Sequence, residues 1–169
     1  MKRIKKFVII ILLLTVFGGC YYISYANDDG VIKFKTYKNE RYGFSINYPS
    51  FLVEYKPSTN NDGVLFKNKD GTEELIVFGY NNIENKSLKE TYDEEVSLIN
   101  DIKYRSMGDN WYVISWEEDG SIYYKKVVAG KRSTNIFSYK YPSNKKKLYD
   151  LIIEEGIRSF KTPLINEYN

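Results

Sequence analysis

"WYVISWEEDGSIYYKKVVAGKRSTNIFSYKY", running from Trp111 to Tyr141, decides the fold. Three runs rich in β-branched and aromatic residues, WYVISWE, SIYYKKVVA and NIFSYKY, are separated only by EDGS and GKRST. Runs of this kind, bounded by turn residues, read as strands. Turns this short join antiparallel neighbours, because parallel neighbours need a long crossover.

The pattern extends upstream. GVLFK and ELIVFGY flank NKDG (Asn68 to Gly71), whose Asp-Gly pair is a strong hairpin signal. YGFSINY places Phe44, Ile46 and Tyr48 on one face and Gly43, Ser45 and Asn47 on the other, and Pro49 ends it. Ile76, Phe78 and Tyr80 stand opposite Leu75 and Val77, so that strand is apolar on both sides and predicts a sheet covered on both faces. Two helices supply the covers. SLKETYDEEVSLI opens with a capping box, Ser87 and Glu90, and carries Leu88, Tyr92, Val96 and Ile99 as one apolar stripe. NKKKLYDLIIEEGIRSF repeats that spacing with Tyr149, Ile153, Ile157 and Phe160, widened by Leu148 and Ile152. The expected fold class is therefore α+β, an antiparallel β-sheet covered by helices on both faces.

The chain starts with a basic MKRIKK and an apolar FVIIILLLTVF (Phe7 to Phe17), the architecture of a signal peptide. Three outcomes stay open for this segment. FGGC resembles a bacterial lipobox, with Cys20 receiving the lipid, although Phe17 and the bulky Tyr21 depart from the usual pattern. Ser24, Tyr25 and Ala26 form an ordinary cleavage site that would release a domain starting at Asn27. Residues Phe7 to Ala26 retained as a helix would instead leave a single-pass anchor with Tyr21, Tyr22 and Tyr25 in the outer interface. Lipidation is the reading that gives the only cysteine a role. The expected address is the extracytoplasmic face of the cell membrane, lipid-anchored or single-pass, with secretion as the alternative. The expected organisation is a signal peptide or anchor over 1–26, a linker and first strand over 27–41, the folded domain over 42–161 and a tail over 162–169.

Composition narrows the chemistry. The whole chain has a net charge of +3, but four of its 25 basic residues (Lys2, Arg3, Lys5, Lys6) precede the apolar run. All 22 acidic residues follow it, which leaves 21 basic against 22 acidic and a net of −1. That balance lacks the positive field expected of a nucleic-acid partner. With no histidine and one N-terminal cysteine, the usual general base and thiolate nucleophile are missing from the domain. No catalytic residues are assigned, and no cofactor or metal is expected. Asp62 and Asp70, in NNDG and NKDG, lack the full alternating set of a calcium loop and fit turn chemistry.

The candidate partner contacts are aromatic. Trp111 and Trp116 have opposite parity on one strand and should face opposite sides of the sheet. With Tyr123 or Tyr139 they would form a platform for a glycan or peptide; the competing reading, which the usual burial of tryptophan favours, is that each fills a core. Lys145, Lys146 and Lys147 open the last helix against its dipole and form a candidate contact for an anionic surface. Glu117, Glu118 and Asp119 gather at a hairpin end, where carboxylates are usually just solvated.

The order of YGFSINYPSFL, the DGTEELIVFGYNN strand, the first helix, the WYVISWEEDGSIYYKK hairpin and the closing YDLIIEEGIRSFK helix resembles the PsbP-like family over about Tyr42 to Lys161. The bacterial extracytoplasmic lipoprotein members of that family fit the FGGC reading. The resemblance implies a central antiparallel sheet between helices and a binding or assembly role, and it carries over no catalytic residue. The expected function is a membrane-tethered extracytoplasmic module that binds a protein or envelope partner. The alternative is a cell-envelope enzyme, such as a carboxylate-dependent glycan hydrolase.

Overall fold

In the computed structural model, residues 26–27, 30–130 and 133–163 are described; Phe7 to Phe17, Cys20 and residues 164–169 lie outside them. The chain divides into two units, Met1–Val31 and Ile32–Asn169. In the first, two short strands, β1 (Ala26–Asn27) and β2 (Gly30–Val31), pair antiparallel. The second carries the main sheet and the helices.

Its centre is a seven-stranded antiparallel sheet of β5 (Val53–Pro57), β6 (Gly63–Lys67), β7 (Glu74–Asn81), β8 (Ile102–Met107), β9 (Trp111–Glu118), β10 (Ser121–Ala129) and β11 (Ser133–Pro142). The strand order is β5-β6-β7-β11-β10-β9-β8, so the Trp111–Tyr141 stretch supplies three adjacent strands. β9 and β10 meet at Asp119 and Gly120, both at positive φ (50° and 72°), as the mirror-image turn of a tight hairpin requires. A separate hairpin, β3 (Phe34–Asn39) with β4 (Phe44–Pro49), and two helices, α1 (Leu88–Leu98) and α2 (Lys146–Ser159), complete the unit. A 3₁₀ turn at Ser143–Lys145 leads into α2.

Strand parity sorts the core into two layers. Val113, Tyr124, Phe137 and Tyr139 point to one face and pack with Phe44 and Ile46 of β4 and with Tyr149, Ile152 and Ile153 of α2. Tyr112, Ile114, Val127 and Ile136 point to the other and pack with Leu88, Tyr92 and Val96 of α1. α2 shares its face with the β3–β4 hairpin: Asn47 Nδ2 donates to Glu155 Oε1 at 2.7 Å, and Asn47 N donates to Ser159 Oγ at 2.9 Å. The α2 stripe runs through Tyr149, Ile152, Ile153 and Gly156, while Ile157, expected in the stripe, is 40% exposed. Gly156 lets the helix close on the sheet, since a Cβ there would already touch the Tyr139 ring at 3.4 Å.

α1 starts as its sequence predicts. Ser87 Oγ accepts from Glu90 N at 3.2 Å, and Ser87 N donates to Glu90 Oε2 at 2.7 Å, which satisfies two otherwise orphaned helix-end donors. Glu95 then pairs with Lys125 of β10 where both are about a quarter or less exposed, and this pins α1 to the sheet.

Candidate functional site

α1 does not cover its face of the sheet. Its 11 residues make a rod about 16 Å long and about 10 Å wide. The seven strands span about 29 Å across six inter-strand steps. The apolar cluster that packs with α1 draws on β8 (Ile102), β9, β10, β11 and the Phe78 and Tyr80 part of β7; Leu65 and Ile76 belong to neither core.

On this face runs one cross-strand row in continuous register: Val53, Lys67, Glu74, Lys140, Tyr123, Trp116 and Ile102, one residue from each strand, with Trp116 and Ile102 packed against the α1-side core and Val53 exposed at the other end. Cross-strand neighbours on one face lie close enough for their side chains to interact. Lys67 Nζ pairs with Glu74 Oε1 at 2.9 Å and lies 4.8 Å from the Tyr55 ring centroid, so Tyr55 stands on this same face. Val53 and Tyr55 are 56% and 66% exposed, and Ile76 is 40% exposed.

The tryptophans face opposite sides: Trp111 packs against the α2-side core and Trp116 against the α1-side core. Trp116 and Tyr123 stack with centroids 4.8 Å apart and planes 6° from parallel. Lys140 Nζ sits 5.8 Å from the Tyr123 centroid. The two rings therefore lie face against face, with Lys140 beside Tyr123 and Ile102 next to Trp116 in the register. The inner π-face of each ring is thus taken up by the other ring. Trp111 lies instead under Lys126, whose Nζ is 5.5 Å from the indole; burial pushes that lysine's pKa down.

Tyr139 joins neither tryptophan's surface. It is fully buried, edge-on to Tyr149 and Phe137 in the α2-side core, which corrects its assignment as a contact residue. The sequence could not separate it from Tyr123, because both are aromatic strand residues and only parity against the second helix distinguishes them. Its hydroxyl finds no hydrogen-bond partner among the described residues. Removing an unsatisfied buried polar group is neutral or stabilising, so Tyr139→Phe should raise the urea midpoint or leave it unchanged, and a fall of more than about 1 kcal/mol would show that the hydroxyl is paired.

The three lysines do not act as a set. Lys145 pairs with Glu73, a carboxylate 3% exposed, whose other oxygen accepts from Tyr149 Oη at 2.7 Å. Lys146 pairs with Asp150 at 2.8 Å one turn along α2. Lys147 is exposed. Two of the three are thus engaged in local ion pairs, and Lys145 holds the start of α2 to the head of β7. Sequence reasoning missed Glu73, since nothing in TEEL separates a buried glutamate from its exposed neighbours. Glu73→Ala should destabilise the protein by about 2–3 kcal/mol in chemical denaturation, because the Tyr149 hydroxyl loses its buried acceptor. Glu73→Gln, which keeps an acceptor for that hydroxyl, should cost less.

The remaining acidic candidates sit in turns or at the end of a hairpin. Asp70 accepts from Thr72 N (3.1 Å) and Thr72 Oγ1 (2.6 Å), and these bonds hold its carboxyl below the usual range. Asp62 is lowered in the same way, chiefly by Ser58. Glu117 pairs in register with Ile122 and Glu118 with Ser121, whereas Lys125 and Lys126 lie farther along β10 opposite Ile114 and Val113. Among the described residues no three His, Cys, Asp or Glu side chains converge as a metal site would require, and no helix is long and apolar enough to cross a membrane.

No protein-family model and no curated protein matches the sequence. Solved structures do match. The chain is similar to CyanoP, the cyanobacterial PsbP of Synechocystis sp. PCC 6803, with a TM-score of 0.57 and 14% identity over 86% of this chain and 98% of that one. It is similar also to the Saccharomyces cerevisiae Ran-binding protein Mog1p, with a TM-score of 0.55 and 10% identity over 78% and 96% of the two chains. The fold, antiparallel sheets with two helices, is PsbP-like.

Proposed function

We propose that this protein is a binding or assembly module held at the extracytoplasmic face of the membrane through its N-terminus, with a protein as its partner. The observation that carries the reading is the bare part of the α1-side sheet face, where Val53, Tyr55 and Ile76 stand open to solvent. Exposed apolar side chains grouped on one face mark an interaction surface more readily than scattered ones do. The fold neighbour described as Ran-binding supports the same reading, because it shows this architecture in a protein-binding role.

The tether rests on MKRIKK, the apolar run and FGGC. A diacylglyceryl group on Cys20 would supply two chains, enough for stable anchoring, and would concentrate a weak binder near membrane partners. Intact mass of the protein recovered from its native membranes tests this part. The expected mass starts at Cys20 and includes a lipid adduct. A mass starting at Met1 would replace the lipid by a transmembrane helix, and recovery only from the medium, starting at Asn27, would remove the tether.

A further inference from the structure

Resting on that binding reading, we infer that the bare region of the sheet docks an acidic amphipathic segment of a partner protein. The region combines apolar Tyr55, Leu65 and Ile76 with Lys56, Lys67 and Lys140. Its acid is Glu74, already paired with Lys67 at 2.9 Å. Three lysines against one glutamate leave a charge of +2 on the strand residues of this region, in a domain whose overall charge is −1. Charge complementarity selects an acidic partner and disfavours a basic one.

The same face shows how such a partner would sit. α1, which occupies the other part, is itself an acidic amphipathic element with Glu90, Asp93, Glu94 and Glu95 against Lys89. It packs Leu88, Tyr92 and Val96, each half-buried, on the sheet and anchors Glu95 to a sheet lysine, Lys125. The bare region repeats that arrangement of apolar strand residues beside lysines, with Lys140 only one strand from Lys125. A partner segment laid beside α1 would cover Ile76 and Leu65 with its apolar stripe and bring carboxylates to Lys140 and Lys56.

The test is an amide-shift titration of the full chain in non-ionic detergent with a synthetic amphipathic helix of leucine and glutamate, and with its leucine–lysine counterpart. The expected result is saturable shifts at Leu65, Ile76 and Lys140 with the glutamate peptide only. Lys56→Glu and Lys140→Glu should each weaken that binding about tenfold and together turn the preference toward the lysine peptide. Lys56 is exposed on an edge strand, so its substitution leaves the fold in place even if Lys140→Glu perturbs its neighbour Glu74. Shifts with the lysine peptide alone, equal response to both, shifts centred elsewhere, or response only to anionic vesicles would each overturn the assignment. None of these would touch the broader binding reading, which partner cross-linking in cells decides separately.

Discussion

Gly63→Ala should lower stability by about 3 kcal/mol or more, and the thermal midpoint by about 8 °C or more. A Cβ built on Gly63 would lie 2.3 Å from the Val77 carbonyl oxygen and 2.4 Å from Phe78 Cβ. Both belong to the paired strand, so no side-chain rotation relieves the clash; β6 and β7 have to separate. That separation would strain the neighbouring bonds, in which Gly63 N donates to Ser58 Oγ (3.1 Å) and Gly79 N donates to the Asp62 carbonyl (2.8 Å). Gly71→Ala is the control. It sits at φ +73° in open space, so the cost is the left-handed backbone alone, about 1 kcal/mol. Equal losses for the two variants would show that the close approach of β6 to β7 is not what Gly63 serves.

A second large effect is expected at alkaline pH. Burial raises the pKa of Tyr112, Tyr124, Tyr139, Tyr141 and Tyr149, with Tyr141 pushed up to about 12 from an ordinary 10. Tyr149 is raised further by Glu73, since its hydroxyl must keep its proton to donate. These tyrosines hold their protons more tightly folded than unfolded. Their contribution to stability is whole below pH 10 and is lost as pH rises toward the folded values, over pH 10 to about 12 for Tyr141. Urea midpoints measured across pH 8 to about 12 should therefore be flat at first and then fall steeply. Tyr141→Phe and Tyr149→Phe should each soften that fall. A midpoint unchanged above pH 11 or so would mean that these hydroxyls ionise freely in the native state.

The centre of this fold was legible in the sequence and its margins were not. β9, β10 and β11 announce themselves because each carries apolar residues on both faces and the turns between them are short. α1 and α2 show helical spacing, and the Ser87 capping box sets the start of α1 within a residue. The two edge strands carry no such signal. β5 is exposed at every position, and β8 reads IKYRSM with a register shift between Ile102 and Tyr104. Charges, a bulge and Pro57 are what protect a sheet edge from unwanted pairing, and the same features erase the alternation by which a strand is recognised. The candidate site suffered from a related limit. Parity assigned Trp111 and Trp116 to opposite faces, yet which face a helix fails to cover depends on where α1 lands. The row from Val53 to Ile102 emerges only from the register of seven strands, including β7 beside β11, which three other strands separate along the chain.

We propose that this protein meets its partner on the bare part of the α1-side sheet face. Photo-cross-linking in living cells, with a photoreactive residue at Ile76 and, separately, at Ile157, tests it most directly; both positions are 40% exposed, one on the bare face and one on α2. A reproducible adduct with one identified protein from Ile76, absent from Ile157, is the result predicted. Adducts of equal yield from both positions, or from Ile157 alone, would contradict it.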